Sequence, residues 1–266
     1  MLTRGSPRAV LRAADQPPSP TDRREPRRDR AVAVLRPLVT GYAALTCLLL
    51  AIGASLTHAL DGSVGRWDEH VNRWFVAHRT DFWNSLSGIA TFAIDTFPVI
   101  AVALVVVTVL MWRRRRVEAL LIVSGLTLEI AVFLSVTFVV ARPRPDVPRL
   151  SSTPMTSSFP SGHVAAAIVL YGAIALAVRS CTRNTVARVL AWCVVVTLAV
   201  SVGVSRVYRG MHHPTDVIVG AAFGVACLWI AARSVRAGSA ARESAGSTVA
   251  ADRTPQFVPI ESEVVA

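Results

Sequence analysis

The chain has 266 residues, of which 53% are hydrophobic and 17% are charged, and its mean hydropathy is +0.49. A composition this apolar argues against a disordered chain or an ordinary soluble enzyme. The formal net charge is nevertheless +11, and every one of the 28 basic residues is an arginine. A basic surplus of this size is typical of proteins that bind nucleic acid or an acidic membrane surface, so the positions of the arginines have to decide between the two.

In chain order, residues 1–37 are polar, proline-rich and without apolar periodicity, so we predict a disordered tail there. Six apolar runs follow, and we interpret each as a membrane-spanning helix. The runs cover residues 38–60, 96–112, 117–141, 164–178, 186–205 and 214–232. The sequence therefore predicts an all-α fold, a six-transmembrane-helix bundle over residues 38–232, followed by a second disordered tail at 233–266.

The distribution of the arginines orients this bundle. With the N-terminus inside, the inner loops and tails hold 20 arginines and the outer loops hold 8. This asymmetry follows the positive-inside rule, so we predict a multi-pass protein of the plasma membrane with both termini in the cytoplasm. Topology then accounts for the basic surplus, and no basic-aromatic module indicates a nucleic-acid partner.

The first outer loop carries an amphipathic pattern. Its apolar side chains recur at helical spacing, at Trp67, Val71, Trp74, Phe75 and Phe82. Its polar side chains fill the opposite face, at Asp68, Glu69, Asn72 and Arg73. We interpret the pattern as an amphipathic interfacial helix in the lipid headgroup layer. A helix packed over the mouth of the bundle is the alternative, and the two arrangements are compatible.

Three clusters of polar residues fall at the predicted outer ends of spans. The first covers 141–145 (ARPRP), after the third span, and the second covers 159–163 (FPSGH), before the fourth. The third joins Ser205-Arg206, which closes the fifth span, to 211–216 (MHHPTD), which opens the sixth. Separate loops that meet at one membrane face indicate one assembled site.

The second cluster favours an anion. Ser161 can cap a helix that begins near Gly162. The free amides of that helix N-terminus, beside a glycine that permits close approach, favour an anion such as phosphate. The guanidinium groups of Arg142 and Arg206, from the other two clusters, can each bind two phosphate oxygens.

The third cluster offers a nucleophile. Because Pro214 suits the first turn of a helix, His212 and Asp216 are predicted to share one helix face. The carboxylate would then orient the imidazole and favour one tautomer. His163, at the start of another helix, is free to act as the acid. Two histidines and a carboxylate can also form a metal site, although the adjacent His212 and His213 point to different faces.

These clusters resemble the three-part signature of the type-2 phosphatidic-acid phosphatase and vanadium haloperoxidase superfamily, which reads K-x6-R-P, then P-S-G-H, then S-R-x5-H-x3-D. Arg142-Pro143 matches the end of the first part, and residues 160–163 match the second in full. The third part is matched, with its internal spacings, by Ser205, Arg206, His212 and Asp216. The resemblance spans about residues 38–232, and the six predicted spans favour the membrane-bound lipid phosphatase branch.

The resemblance implies a phosphatase that needs neither metal nor cofactor. In the implied reaction, His212 would attack phosphorus and form a phosphohistidine, and Asp216 would stabilise the imidazolium. His163 would protonate the departing oxygen and then activate water. The implied phosphate-binding groups are Arg142, Arg206, Ser161 and the amides near Gly162. The implied partners are membrane lipids and a lipid phosphate reached from the outer leaflet: polyprenyl diphosphate first, then phosphatidic acid or phosphatidylglycerophosphate.

One position departs from the signature. Seven residues before Arg142, where the family has a phosphate-binding lysine, this chain has Ser135. Losing one charge-assisted contact costs on the order of 1.5–3 kcal/mol, or roughly ten- to a hundredfold in turnover. Three other outer arginines are candidates for the missing charge, namely Arg144, Arg149 and Arg209. The competing hypothesis is therefore a non-catalytic membrane protein that binds or transports lipid phosphates.

Two carboxylates in or beside apolar runs complete the set of unusual residues. Glu129 falls near the middle of the third span, and we interpret it as a structural hydrogen-bonding residue inside the bundle. Asp95 comes just before the second span and is predicted to cap it at the outer surface. The sequence leaves the oligomeric state open.

Overall fold

The computed structural model describes residues 25–152 and 155–252. Eight α-helices make up most of this part of the chain: α1 (Glu25–Ala54), α2 (Arg66–Ala77), α3 (Asp81–Phe92), α4 (Thr96–Trp112), α5 (Arg116–Val140), α6 (Gly162–Cys181), α7 (Thr185–Tyr208) and α8 (Pro214–Asp252). Two short π-helical segments, Ser55–Ala59 and Asp61–Gly65, connect α1 to α2. The described residues contain no β-strand, which confirms the all-α class.

Five helices are long and apolar enough to cross a membrane, within Arg28–Ala59, Arg116–Val140, Gly162–Cys181, Thr185–Tyr208 and Pro214–Ser244. The sixth candidate is a pair, because α3 and α4 pass the same test together and are bent by 45° at the break between them. Helix α4 has only 17 residues, fewer than the ~20 that a hydrocarbon core of ~30 Å requires. The predicted second span therefore needs α3 to complete it, and the number of spans is five to six.

Both predicted tails differ in part from the structure. Helix α1 begins at Glu25 and α8 continues to Asp252, so residues 25–37 and 233–252 are helical. The physical reason is that a helix nucleated in an apolar span extends into flanking residues at little cost, and arginine and alanine are strong helix formers. The rest of both tails lies outside the described residues.

Leu35–Val235 forms one compact unit. The N-terminal part of α1 and the C-terminal part of α8 belong to a second unit. Helix α6 is the centre of the larger unit and packs against α5 and α7. Six of its ten buried residues are alanine or glycine, which lets neighbouring helices approach closely. An added Cβ at Gly172, for example, would lie 2.5 Å from a methyl group of Leu228 on α8. This tight packing fixes the position of the α6 N-terminus.

The ends of four helices meet at one end of this unit, and they bring the three polar clusters together. Helices α5 and α7 arrive there with their C-terminal ends, and α6 and α8 start from it. The backbone N–H of Ser161 before α6 donates to the carbonyl of Asp216 in α8, at 3.1 Å. The loop from α5 to α6 is held against α7 by Arg209, which donates to the hydroxyl of Ser151 at 2.7 Å and to the carbonyl of Leu150.

Helix α2 is amphipathic as predicted, and its polar face is turned to the protein. Asp68 and Asn72 are fully buried, whereas Trp67 and Trp74 are 50% and 52% exposed. The helix packs against α7, so it corresponds to the alternative in which it covers the mouth of the bundle. Its position in a headgroup layer stays a prediction.

Candidate active site

The polar clusters surround one end of a cavity of about 740 Å³. The polar part of its wall is formed by Asp95, Arg144, Ser151, Ser152, Thr156, Ser157, His163, Arg206 and His212. The remaining wall is apolar and is formed mainly by α4 and α5, with side chains such as Val99, Ala103, Leu126 and Phe133. One cavity therefore joins a cationic end to an apolar groove between two membrane helices.

His212 lies in the turn that precedes α8. Its Nδ1 is 2.6 Å from the carbonyl oxygen of Ser158. A carbonyl oxygen can only accept a hydrogen bond, so Nδ1 carries the proton and Nε2 keeps its lone pair. Burial lowers the pKa of His212 well below its usual value, and the positive charges of Arg206 and Arg144 lower it further. The imidazole is thus neutral, as a nucleophile requires.

Asp216 is fully buried in the first turn of α8. Its carboxylate accepts hydrogen bonds from the backbone N–H of His213, at 2.9 Å, and from the hydroxyl of Ser158. The prediction that His212 and Asp216 share a helix face was wrong, because His212 precedes the helix. Asp216 is instead linked to His212 through Ser158, whose hydroxyl binds the carboxylate and whose carbonyl binds the imidazole. Ser158 lies in no motif, and sequence reasoning missed it.

Arg142 is not among the residues that line the cavity. Its guanidinium is buried between two carboxylates, with Nη2 2.9 Å from Asp68 Oδ2 and Nη1 2.5 Å from Asp216 Oδ1. Burial lowers the pKa of Arg142, but the charges of Asp216 and Asp68 more than offset this effect and raise it. Asp68 also accepts a hydrogen bond from the Thr215 hydroxyl at 2.6 Å. The predicted phosphate ligand thus holds α2 and α8 together.

Arg144, from the same RPRP segment, does line the cavity. One end of its guanidinium donates to the carbonyl of Met211 at 2.5 Å, and the other donates to the carbonyls of Thr156 and Ser157 at 3.1 and 3.2 Å. Its Nε is buried without a hydrogen-bond partner. These carbonyls orient the guanidinium without neutralising its charge. Of the three arginines that are candidates to replace the charge of the missing lysine, Arg144 is the one that lines the cavity.

The remaining predicted phosphate ligands lie around the start of α6. Arg206, in the last turn of α7, lines the cavity, and its Nε has no hydrogen-bond partner. Ser161 occupies the N-cap position of α6, as predicted, but its hydroxyl caps no amide and is also unpartnered. Gly162 lines the cavity, and an added Cβ there would lie 3.0 Å from the ring of Phe133. Buried donors without partners suit an oxyanion with several acceptor oxygens.

His163, the second residue of α6, lines the cavity beside Asp95. The Nε2 of His163 is 3.5 Å from Oδ1 of Asp95. The same oxygen accepts a hydrogen bond from the backbone N–H of Thr96 at 3.0 Å, so the predicted cap of α4 is confirmed. No pattern in the sequence indicates that this capping residue also reaches the site.

Two further predictions concern α5. Ser135 faces α1, where its hydroxyl lies 2.8 Å from that of Tyr42, and it is not part of the cavity wall. Glu129 is buried and lines the apolar part of the cavity.

Within residues 25–152 and 155–252, no group of three or more His, Cys, Asp or Glu side chains is placed to hold a metal ion.

Comparison with curated proteins finds a phosphatase. Decaprenylphosphoryl-5-phosphoribose phosphatase of Mycobacterium tuberculosis, from strains CDC 1551 and H37Rv, is 32% identical over 118 residues. The aligned segment is 42% of this chain and 58% of the relative. The chain thus spans somewhat more than half the length of the curated relative that it matches.

Comparison with solved structures finds the same fold in two proteins. The transmembrane PAP2 type phosphatidylglycerolphosphate phosphatase from Bacillus subtilis superposes with a TM-score of 0.60 at 21% identity, over 82% of this chain and 98% of that one. LpxE of Aquifex aeolicus superposes with a TM-score of 0.50 at 22% identity, over 61% and 92%. The family model of the PAP2 superfamily matches residues 118–239, a segment that holds all three polar clusters. This match, over somewhat less than half of the chain, agrees with the resemblance seen in its motifs.

Proposed function

We propose that the protein is an integral membrane phosphatase that removes phosphate from a lipid phosphomonoester or diphosphate, without a metal ion and through a phosphohistidine. The observation that carries the proposal is the neutral imidazole of His212, whose Nε2 is free to attack while two arginines line the same cavity. The similarity to the Mycobacterium tuberculosis decaprenylphosphoryl-5-phosphoribose phosphatase supports the reaction class.

Phosphate binding falls to Arg144, Arg206 and the first amides of α6. The two guanidinium groups supply positive charge, and the amides at Gly162 and His163 supply donors at a helix N-terminus. Arg142, which the motif spacing predicts for this role, supports the site instead through Asp68 and Asp216.

The reaction has two steps. In the first, the lone pair of His212 Nε2 forms a bond to phosphorus, and the bond from phosphorus to the leaving oxygen breaks with its electron pair. His163 gives its proton to that oxygen, and the dephosphorylated lipid leaves. In the second, a water attacks phosphorus and gives its proton to His163, the N–P bond breaks, and inorganic phosphate is released. The positive charge on the phosphorylated imidazole is stabilised by the Ser158 carbonyl, which Asp216 holds in place.

The substrate class follows from the apolar part of the cavity. The whole cavity has a volume of about 740 Å³, and its apolar part along α4 and α5 accepts a lipid tail while the phosphate lies at the cationic end. Polyprenyl diphosphates, phosphatidic acid and phosphatidylglycerophosphate fit this description. The arginine distribution favours a site on the outer face of the plasma membrane, with both termini in the cytoplasm. The non-catalytic alternative rested on the missing lysine, and Arg144 removes its main support.

The test is phosphate release by the purified protein from a panel of these lipids, with and without chelator. His212→Ala abolishes release, and His70→Ala, which changes an exposed histidine of α2, retains it. A base-stable, acid-labile phosphoryl label on the wild type that is absent from His212→Ala identifies the intermediate. No release from any lipid refutes the phosphatase, and loss of release in chelator refutes metal independence.

A further inference from the structure

Asp95 lies at a distinctive place in the fold, at the break between α3 and α4 where the helix pair bends by 45°. It lies outside the matched signature and outside residues 118–239, which match the family model. Its Oδ1 is held by the backbone N–H of Thr96, at 3.0 Å. The carboxylate is thereby fixed at the cavity wall, 3.5 Å from Nε2 of His163.

The other charges around His163 are positive. Arg206 from α7 and Arg144 from the α5–α6 loop line the same cavity, and the imidazole of His212 lies there too. The positive charges of Arg206 and Arg144 oppose a further positive charge on His163. Among the described residues, Asp95 is the carboxylate within ion-pair distance of His163. An acid that must donate a proton beside two arginines needs such a counter-charge.

We propose that Asp95 is a positioning residue for catalysis: its carboxylate pairs with the Nε2–H of a protonated His163, which leaves the Nδ1–H to donate to the leaving oxygen. This inference rests on the proposed function. When the phosphorus–oxygen bond breaks, its electron pair goes to the leaving oxygen, which takes the proton from His163. Asp95 then stabilises the imidazolium that forms again when water gives its proton to His163.

The test uses the dependence of the rate on the leaving group. Asp95→Asn removes the charge and keeps an acceptor that caps α4 equally well. An alkyl phosphate such as phosphatidic acid leaves as a strongly basic alkoxide and needs the proton, whereas p-nitrophenyl phosphate leaves as a weakly basic phenolate and does not. We expect kcat for the alkyl substrate to fall roughly ten- to a hundredfold, part of the 10²–10⁴ that general acid catalysis supplies. With p-nitrophenyl phosphate, kcat stays within about twofold, since no general-acid contribution is lost.

The pH profile gives a second readout. In Asp95→Asn the alkaline limb of kcat/KM for the alkyl substrate moves to lower pH, because His163 loses its proton more readily. Asp95→Ser, which also caps but carries no charge, behaves in the same way, and Asp81→Asn in the first turn of α3 is the matched control without effect.

Four results overturn the proposal in distinguishable ways. Equal losses on both substrates would show that Asp95 does not act through proton transfer, as would a loss that Asp95→Glu fails to restore. Unchanged kinetics in both variants would show that His163 needs no counter-charge. A wild-type protein that turns over neither substrate would refute the proposed phosphatase itself.

Discussion

The two arginines of the RPRP segment give the sharpest prediction, because the proposed function assigns phosphate binding to Arg144 and a supporting role to Arg142, the reverse of what motif spacing implies. Arg144 lines the cavity, and among the described residues its hydrogen-bond partners are carbonyl oxygens, whereas Arg142 is 4% exposed and lies between Asp68 and Asp216. We therefore expect Arg144→Leu to impair catalysis in a stable protein. We expect Arg142→Leu to impair stability first.

The magnitudes follow from the contacts that each variant loses. Arg144→Leu removes a charge-assisted phosphate contact worth about 1.5–3 kcal/mol, which corresponds to a fall in kcat/KM of roughly ten- to a hundred-and-fiftyfold. Arg142→Leu leaves two buried carboxylates without their partner, and breaking a buried pair in this way costs about 3–5 kcal/mol. The second cost is large against the stability of a typical domain, about 5–15 kcal/mol.

The assay is a paired one, with steady-state kinetics on a soluble short-chain phosphate and thermal unfolding in the same detergent. The expected result is a low kcat/KM with an unchanged Tm for Arg144→Leu, and a lowered Tm for Arg142→Leu. Arg149→Leu, another arginine of the α5–α6 loop, is the reference variant for removal of one positive charge. The exchange of roles would be refuted if Arg144→Leu had the wild-type kcat/KM and Arg142→Leu were stable but bound the substrate weakly.

Four further predictions test the rest of the site. Ser158→Ala removes the hydroxyl that binds Asp216 and should lower kcat by about five- to tenfold, a hydrogen bond being worth roughly 1 kcal/mol; unchanged kcat would separate Asp216 from the nucleophile. Ser135→Lys should leave turnover unchanged, because the side chain faces α1, and a clear gain would show that the position reaches the phosphate. Ala103→Phe narrows the groove and should raise KM for long-chain lipid phosphates while sparing short-chain ones. His212 is held neutral in the folded protein, so its contribution to stability is complete above the unfolded pKa of about 6.5 and is lost as pH falls. Tm should therefore decrease from pH 7.5 to 5.5, and it should decrease less in His212→Asn. An equal decrease in both proteins would contradict the buried neutral imidazole.

Hydropathy and motif spacing predicted the helical class, the meeting of three loops, and four of the residues that line the cavity. These features are local, because apolar runs define spans and the ends of neighbouring spans define a common face. His163, Arg206, Gly162 and His212 accordingly lie together at the cationic end of the cavity.

The choice between Arg142 and Arg144 could not be predicted, because both precede a proline in the same short segment. Arg142 is turned inward by Asp68, 74 positions earlier in the chain, and no local pattern reports such a partner. The link through Ser158 was missed for a related reason. It depends on His212 lying outside α8, and the exact start of a helix is the least predictable part of its sequence pattern.

Two helix N-termini converge on the site, and the protein treats them differently. The start of α8 is already occupied by anions of the chain itself, since Asp68 accepts from the N–H of Thr215 at 3.0 Å and Asp216 accepts from that of His213 at 2.9 Å. The start of α6 has no side-chain cap. The positive end of one helix dipole is thereby neutralised internally while the other stays available. Of these two helix N-termini, the start of α6 beside His163 is therefore the one that can stabilise a bound anion.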